Sequence, residues 1–408
     1  MNEFITVKLK DIGRIVTGKT PSSKEPKSYG ESYLFITPSD NFENKYIDKT
    51  IRSLSEYGKN VLNGKLLKEN SVLVTCIGSA MGKVALNKFP AVTNQQINSI
   101  EVKEAFSSDY IYYCLKNNYT LFRNAASGST ALPILNKTDF EELPIKIHKN
   151  LKTQQSIAAV LSALDKKITL NKQINARLEE MAKTLYDYWF VQFDFPDANG
   201  KPYKSSGGDM VFDETLKREI PKGWEVKSLN QVADIVMGQS PDGASYNLEQ
   251  EGTIFFQGST DFDWRFPNVR QYTTSPTRFA QTGDILLSVR APVGDLNIAP
   301  FECCIGRGLA ALRSKSGNNS FLFYVMKYFK TVFERRNTEG TTFGSITKDD
   351  LHSLKLVAPA DNVLEKYNEI ASKYDEMIFI RSQQNHQLTQ LRDFLLPMLM
   401  NGQVSVAE

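Results

Sequence analysis

The sequence predicts a mixed α/β (α+β) protein made of two copies of one domain, joined by two long antiparallel coiled-coil helices about a pseudo-two-fold axis. Three observations lead to this prediction: an internal repeat spans most of the 408 residues, a heptad pattern follows each copy, and a turn-rich segment precedes the second copy. The predicted parts are a first domain at 1–150, a first helix at 151–190, a linker at 191–220, a second domain at 221–359, a second helix at 360–400 and a tail at 401–408.

The repeat becomes visible when the two copies are aligned on a turn that contains glycine. The first copy begins VKLKDIGRIVTGKTP and the second contains VKSLNQVADIVMGQSP, which places Gly18 on Gly238 at a shift of 220 residues. Further along, SVLVTCIGSAMG lies on GDILLSVRAPVG, and the shift later decreases to about 212. Loops vary in length more than the elements they connect, so this decrease indicates two copies of one fold with different loops.

Within each copy, short apolar runs predict strands and longer mixed runs predict helices. The runs VLVTCI and DILLSV are rich in β-forming residues and are bounded by Gly, Asn and Ser. Residues 110–115 and 321–329 combine aromatic and aliphatic side chains at spacings typical of helices. Each domain is therefore expected to contain both strands and helices.

A heptad pattern follows each domain. Its core positions recur at alternating spacings of four and three residues, which is typical of a coiled coil. Polar residues interrupt both patterns near the middle, at Asn171 and Asn175 and at Arg381 and Gln384. Polar core positions fix register and partner, so the matched centres favour pairing of the two helices with each other, whereas the alternative is that each helix packs only on its own domain. The residues predicted to pair the helices are Ile157, Leu161, Leu164, Ile168, Leu178, Leu185, Ile370, Tyr374, Met377, Leu388, Leu391 and Leu395.

Three segments beside the repeats have a composition of their own. Residues 191–220 are rich in Gly, Pro, Asp and Ser, and we expect a surface linker there, outside the core. The runs YWFVQF (188–193) and FLLPMLM (394–400) make the helix ends apolar. Such ends either pack on the core of the chain or dock on a partner subunit.

Composition narrows the class of protein. The net charge is only +3, and no apolar run approaches the length of a membrane span. The start, MNEFITVKLKDIG, lacks the apolar stretch of a signal peptide. The four cysteines have no CxxC spacing and the three histidines are scattered, which predicts no zinc or other metal site and fits buried thiols in a reducing cytoplasm.

The two helices are long enough to set a fixed distance between the two domains. Each heptad pattern extends over about 26–29 residues, or roughly 40 Å at about 1.5 Å per residue. That length corresponds to on the order of a dozen base pairs of B-DNA. Two modules held about one helical turn apart can reach two half-sites on the same face of a duplex.

Two helical segments carry a family resemblance: LDKKITLNKQINARLEEMAKTLYDYWFVQFDFP (164–196) and RSQQNHQLTQLRDFLLPMLMNGQV (381–404). Together with the duplicated domain, they resemble the specificity subunits of type I restriction–modification enzymes over nearly the whole chain. The resemblance implies that each domain is a target recognition domain for one half of a bipartite site in double-stranded DNA. It also implies that the helices are a spacer and a docking surface for two methyltransferase subunits, which restriction subunits join. The chain itself would then be non-catalytic, with S-adenosylmethionine, ATP and Mg²⁺ bound by the partner subunits.

Short motifs offer little support for nucleotide binding or nuclease catalysis by this chain. The segment from Gly13 to Thr20 fits the GxxxxGK[ST] pattern of phosphate-binding loops, but its interior predicts a strand and Pro21 follows where a helix should begin. The second copy, Ala233 to Ser240, lacks the first glycine and the lysine. Glu101-Val-Lys103 and Glu225-Val-Lys227 match the E-x-K fragment of many nucleases without an upstream Pro-Asp to complete a metal site.

DNA contacts are predicted in the loops of both copies, because phosphate-binding and base-reading side chains must reach out of the fold. Among the candidates, Gln257, Arg290 and Arg307 are the best base readers, since glutamine pairs with adenine and arginine with guanine. The full set is Lys19, Thr20, Ser39, Asp40, Ser79, Lys83, Ser129, Thr130, Gln239, Ser240, Gln257, Ser259, Arg290, Arg307, Thr341 and Thr342.

Two other functions stay open at this point. A scaffold whose repeats bind proteins would not lose DNA affinity steeply with salt, whereas a DNA-binding protein would. A P-loop nucleotide hydrolase would bind nucleotide and lose that binding when Lys19 is replaced by alanine.

Overall fold

The computed structural model describes residues 3–22, 24–126, 133–338 and 345–406. The chain divides into two compact units, Met1–Gln173 with Ser382–Glu408, and Ile174–Arg381. Each unit therefore contains one globular domain and a part of each long helix. Over the described ranges, no helix has both the length and the apolar character that crossing a membrane requires.

The first domain is built from ten described strands and five short helices. The strands are β1 (Phe4–Lys8), β2 (Gly13–Thr17), β3 (Tyr29–Ile36), β4 (Tyr46–Ile47), β5 (Arg52–Leu54), β6 (Val72–Thr75), β7 (Val84–Asn87), β8 (Ala91–Thr93), β9 (Ile97–Val102) and β10 (Pro144–His148). The helices are α1 (Leu9–Ile12), α2 (Glu56–Val61), α3 (Ser108–Asn117), α4 (Tyr119–Ala125) and α5 (Lys137–Glu142). Serine caps define where two of them begin: the Ser55 hydroxyl accepts from the Gly58 N–H, and that of Ser107 from the Tyr110 N–H.

The strands of the first domain form three sheets, with strand orders β2-β9-β6-β7-β4, β5-β3-β8 and β1-β10. Strand β6 lies inside the larger sheet and is buried along its whole length. Successive residues of a strand face opposite sides, so Val72 and Val74 join the main core with Tyr110 while Leu73 joins a second cluster with Ile36. The domain thus has apolar layers on both faces of one sheet.

The second domain repeats this plan. Its strands are β11 (Met210–Asp213), β12 (Arg218–Pro221), β13 (Glu225–Ser228), β14 (Ala233–Met237), β15 (Tyr246–Asn247), β16 (Thr253–Phe256), β17 (Tyr272–Thr273), β18 (Phe279–Ala280), β19 (Ile285–Ser288), β20 (Leu296–Ile298), β21 (Cys303–Ile305), β22 (Leu309–Ser314) and β23 (Lys355–Ala358). Its helices are α7 (Leu229–Val232), α8 (Asn319–Thr338) and α9 (Lys348–Ser353).

The central strands of the two domains correspond. The order β14-β22-β19-β20 matches β2-β9-β6-β7, and a parallel pair, β16 with β21, matches β3 with β8. Leu286 of β19 likewise lies in a separate cluster from its neighbours Ile285 and Leu287. The predicted repeat is therefore a structural repeat, and the strands and helices predicted within it are confirmed.

Residues 191–220 are mostly exposed, as expected of a surface segment, but the aromatic residues near its start pack into the core of the second domain, so the expectation that the segment lies wholly outside the core was wrong. Phe193 and Phe195 are buried, with ring centroids 5.7 and 4.9 Å from that of Trp224. The Asp194 carboxylate accepts hydrogen bonds from the N–H and hydroxyl of Ser205, at 2.7 and 2.6 Å. The turn-rich composition reflects tight turns between aromatic anchors, and the segment ends in the antiparallel pair of β11 and β12.

The long helices are α6 (Leu151–Tyr186), which a π-helical stretch Asp187–Val191 extends, and α10 (Asp361–Asn401). In the first unit, the Arg392 guanidinium contacts Asp165 at 2.9 Å and the Asn385 amide donates to the Ile168 carbonyl at 3.3 Å. Residue numbers that increase along α6 therefore meet residue numbers that decrease along α10. The helices are therefore antiparallel, as predicted, and they pair with each other.

The row of residues by which α10 faces α6 lies one position later than predicted. Ile370 and Leu391 are 38% and 45% exposed, so assigning them to the helix pairing was wrong. The buried residues are Ala371, Ile378 and Leu396, and Asp375, Asn385 and Arg392 lie in the same row. Small and polar side chains occupy much of this row, which is why the hydrophobic pattern predicted the adjacent row of α10 instead.

Of the other predicted positions, Ile157, Leu161, Ile168 and Leu178 are buried, and Leu164, Leu185, Tyr374, Met377, Leu388 and Leu395 are half-buried.

Candidate nucleic-acid interface

Three loops of the second domain meet at one end of its sheets. Two hydrogen bonds join the turn after β14 to the β21–β22 loop. The Gln239 N–H donates to the Ile305 carbonyl at 3.0 Å, and the Arg307 N–H donates to the Ser240 side-chain hydroxyl at 3.3 Å. The Gly306 N–H donates to the Phe256 carbonyl at 2.8 Å, which brings in the loop after β16. These contacts place Gln239, Ser240, Gln257 and Arg307 in one cluster.

Glycine at position 308 allows this close approach. A Cβ atom there would lie 2.7 Å from the carbonyl oxygen of Gln257, which is backbone and cannot move aside easily. The Gly308 carbonyl also accepts from the Val289 N–H at 2.9 Å, and Arg290 follows directly. All three predicted base readers, Gln257, Arg290 and Arg307, therefore extend from neighbouring loops, and each is exposed.

One carboxylate beside this cluster is held inside the fold. The Asp261 carboxylate is buried and accepts from the Gln257 N–H at 3.0 Å, and it lies 3.7 Å from the Arg270 guanidinium. Ser259 is half-buried at the start of the same 3-10 turn. The predicted contact residues of the cluster thus present amide, hydroxyl and guanidinium groups, which suit phosphate and base edges, while the exposed Asp242 lies two residues after Ser240.

The first domain brings the corresponding loops together. The Lys19 N–H donates to the Thr93 carbonyl at 2.9 Å, and the Thr20 hydroxyl donates to the Gln95 side-chain oxygen at 2.6 Å. The Asn94 N–H donates to the Ile36 carbonyl at 3.0 Å, which adds the loop that contains Ser39. Lys19, Ser39 and the nearby Ser79 and Lys83 are exposed, and Thr20 is half-buried.

Sequence reasoning missed Gln95, which is exposed at the tip of the β8–β9 loop. The segment AVTNQQINSI (91–100) aligns with CCIGRGLAAL (303–312), so Gln95 corresponds to Arg307. Extending the repeat alignment across these strands was the signal that could have found it. A glutamine here suits adenine as an arginine suits guanine.

Asp40 is a loop-holding residue, and its prediction as a DNA contact was wrong. It is 7% exposed, and its carboxylate accepts from the Thr37 N–H at 2.7 Å and from the Ile51 N–H at 2.8 Å. Buried oxygens that are already bonded to backbone amides have no reach toward a ligand. Ser129, Thr130, Thr341 and Thr342 lie outside the described residues.

The phosphate-loop match at Gly13 to Thr20 does not have the required geometry. Gly13–Thr17 is strand β2, paired antiparallel with β9 along its whole length. A phosphate-binding loop must instead turn from a strand into a helix N-terminus. The nucleotide-binding alternative is therefore contradicted at this position.

The described residues offer neither a metal centre nor an activated thiol. No group of three or more His, Cys, Asp or Glu side chains within them is arranged to hold a metal ion. All four cysteines are buried. Burial raises the pKa of Cys76, Cys114 and Cys303 to about 12, which disfavours the nucleophilic thiolate.

A buried arginine ties the second domain to both helix segments of its unit. Arg265 is 3% exposed, and its guanidinium donates to Glu179 of α6 and to Asp375 of α10. The same guanidinium lies 3.8 Å from the ring centroid of Phe323 in α8. Lys45 is the equivalent in the first domain: it pairs with Asp109 of α3 at 2.5 Å and donates to the Ser162 hydroxyl of α6 at 2.6 Å. These cations fix each loop cluster to the helices of its own unit.

Comparison with known proteins connects this architecture to one family. A family model for the type I restriction modification DNA specificity domain matches residues 1–180 and 221–390. The chain is 36% identical over 307 residues to the MjaX type I restriction enzyme specificity subunit of Methanocaldococcus jannaschii, covering 73% of this chain and 68% of that protein. It is 28% identical over 422 residues to the MjaIX specificity subunit of the same organism, covering 98% and 93% of the two chains.

A solved structure shares the fold. The crystal structure of the S subunit of a type I restriction–modification system from M. genitalium superposes with a TM-score of 0.63 at 15% identity, covering 97% of this chain and 96% of that one. The TM-score supports a common fold. Because the identity is low, the contact residues of this chain must be derived from its own loops.

Proposed function

Because the chain belongs to the type I restriction–modification DNA specificity family, we propose that it reads a bipartite site in double-stranded DNA, with one half-site for each loop cluster. The observation that carries the proposal is that both domains assemble the same loops while presenting different side chains. Gln95 stands where Arg307 stands, and Lys19 stands where Gln239 stands. Equivalent scaffolds with different readers would give two unlike half-sites.

The candidate residues divide into base readers and phosphate contacts. Arg290 and Arg307 are suited to guanine and Gln95 and Gln257 to adenine, since each presents a two-pronged group to a base edge. Lys19 and the neighbouring hydroxyls are suited to phosphate, which adds affinity without choosing sequence. Binding should therefore fall steeply with salt.

The chain is the specificity component of a type I complex, and we infer that its helices dock two methyltransferase subunits, which restriction subunits then join. Apolar side chains exposed on the long helices support this inference: Leu170 and Met181 on α6 are 45% and 51% exposed, and Leu391 and Phe394 on α10 are 45% and 62% exposed. Exposed apolar rows on a helix are typical of partner contacts. S-adenosylmethionine, ATP and Mg²⁺ would then be bound by those partners.

The test is genome-wide adenine methylation in cells that carry this chain with a cognate methyltransferase subunit. The matched comparison replaces residues 221–359 with the second domain of another family member. We expect a gapped, two-part motif of which only one half changes in the exchanged chain. Methylation that is absent, or unaltered by the exchange, would favour a scaffold that binds proteins.

A further inference from the structure

A cavity of about 180 Å³ lies in the first unit, between the globular domain and the helix segments of that unit. Four cations line it: Lys45, Lys116, Lys172 and Arg392. Two of these form ion pairs, since Lys45 pairs with Asp109 and Arg392 pairs with both Asp165 and Asp393. The other two cations, Lys116 and Lys172, form no ion pair within the described residues, and Glu43 is exposed at the rim of the cavity.

The second unit provides an internal reference for this cavity. The Leu86 N–H donates to the Lys45 carbonyl at 2.8 Å, and the Ile298 N–H donates to the Arg265 carbonyl at 2.9 Å. Lys45 and Arg265 therefore hold the same place in the repeated fold. The segments IYYCLK of α3 and LFYVMK of α8 align in the same way, which makes Lys116 the counterpart of Lys327.

In the second unit a carboxylate joins these two cations. Glu179 of α6 accepts from the guanidinium of Arg265 and from the ammonium of Lys327. The counterpart of Glu179 on α10 is Thr389, because each lies four residues after the asparagine that bonds the opposite helix. The carboxylate is thus replaced by a short hydroxyl side chain in the first unit.

A second exchange enlarges the space. Phe379 of α10 packs on Phe266 in the second unit, with ring centroids 5.4 Å apart. Its counterpart in the first unit is Thr169, which lines the cavity. Two smaller side chains at equivalent positions, Thr169 and Thr389, therefore account for the opening.

Lys116 is left without the partner that Lys327 has. Its ammonium donates to the Tyr112 hydroxyl at 3.1 Å and lies 5.4 Å from the centroid of that ring. Among the described residues, the carboxylates of Asp165 and Asp393 act on it only from beyond ion-pair distance. Burial lowers the pKa of Lys116, and the more distant carboxylates of Asp165 and Asp393 oppose this effect without cancelling it. Lys172 at the rim is exposed and able to turn toward the same space.

We propose that this cavity binds a small oxyanion of the phosphate class, in the place that the Glu179 carboxylate takes in the second unit. Lys116 and Lys172 supply the charge, and the Thr389 hydroxyl supplies a further donor. The oxyanion is either free or a phosphate of a DNA backbone. The inference rests on the two units alone, so its failure would leave the proposed reading of DNA unaffected.

The experiment measures the melting temperature of the full chain against inorganic phosphate, with sodium chloride adjusted to keep ionic strength constant. We expect a saturable rise for the unaltered chain and its loss in Lys116→Met. Thr389→Glu should also lose the rise, and its melting temperature without phosphate should be higher because the new carboxylate pairs with Lys116. The matched controls Lys152→Met and Gln387→Glu change the same charges at exposed helix positions and should keep the rise.

A rise that does not saturate, or that persists in Lys116→Met and Thr389→Glu, would show a general salt effect and overturn the proposal. Binding of a duplex of arbitrary sequence then distinguishes the two sources of the oxyanion. If Thr389→Glu lowers the slope of log affinity against log salt by about one relative to Gln387→Glu, the site takes a backbone phosphate. Equal slopes together with a lost phosphate response identify a free oxyanion.

Discussion

The side-chain amide of Asn385 donates a hydrogen bond to the backbone carbonyl of Ile168, 3.3 Å away across the paired helices of the first unit. In the second unit, Asn175 makes the same contact with the carbonyl of Ile378, also at 3.3 Å. The two pairs correspond in the repeat, so one device recurs in both units. An asparagine at a helix interface contributes less stability than leucine but favours one register over its neighbours.

We expect Asn175→Ala to destabilise the chain more than Asn385→Ala. Asn175 is 3% exposed, so its removal loses a buried hydrogen bond worth about 1 kcal/mol and leaves a cavity, whereas Asn385 is only half-buried. Thermal unfolding followed by circular dichroism measures the difference. Gln173→Ala, at an exposed position of the same helix, is the control. A loss in Asn175→Ala no larger than in this control would show that the amide does not hold the pairing.

Arg265→Met should be among the most destabilising substitutions in the second unit. It leaves the carboxylates of Glu179 and Asp375 beside an apolar side chain, and breaking a buried ion pair by removing one partner costs about 3–5 kcal/mol. Arg270→Met, at an exposed arginine, is the matched control. Adding Glu179→Gln and Asp375→Asn to Arg265→Met should restore part of the melting temperature. Equal melting temperatures for Arg265→Met and Arg270→Met would contradict the bridging role.

The pH dependence of that loss follows from Asp375. Burial raises the pKa of its carboxyl, and Arg265 opposes this by favouring the ionised form. Without the arginine the folded-state pKa rises further, so the folded state holds the proton more tightly than the unfolded state. Stability then falls as pH rises from the unfolded pKa to the folded one. The difference between Arg265→Met and the unaltered chain should therefore be larger near pH 7 than near about pH 4.

Local sequence patterns were sufficient for the repeat, the buried strands and the long helices. The strands VLVT and ILLS are buried on both faces, and such positions admit only apolar residues, which makes them visible in a single sequence. The antiparallel pairing was visible for a related reason, because both heptad patterns turn polar at their centres. These features depend on residues close together in the chain.

Features that depend on contacts between distant residues were missed. The α10 row that faces α6 contains Asp375 and Arg392, whose charges are compensated by partners far away in sequence, so their burial is not visible locally. Phe193 and Phe195 are buried only because Trp224 packs against them. The role of Asp40 likewise depends on the backbone of Ile51 across the loop. In each case the sequence shows the residue but not what lies against it.

The thiols of the native chain should resist alkylation. All four cysteines are buried, and a pKa of about 12 for Cys76, Cys114 and Cys303 leaves very little thiolate at mildly alkaline pH. Mass spectrometry after iodoacetamide treatment at about pH 8.5, near the pKa of a free thiol, should show no adduct on the folded chain and four in urea. A rapid single adduct under native conditions would identify an accessible cysteine and contradict this burial.

Exchanging the side chains at the equivalent loop positions should change one half-site at a time. Arg307→Gln is expected to weaken a guanine preference in the half-site of the second domain, and Gln95→Arg to introduce one in the half-site of the first, with about 1–3 kcal/mol of discrimination at the affected base pair. Selection from a randomised duplex pool measures both motifs. Arg177→Gln, at a surface ion pair of α6, should leave both unchanged.

Lys19→Ala should instead weaken binding to all sequences alike and reduce the salt slope by about one, as loss of a phosphate contact does. If Arg307→Gln behaved like Lys19→Ala, with a uniform loss and an unchanged motif, Arg307 would be a phosphate contact and base reading in the second domain would fall to Gln257 and Arg290.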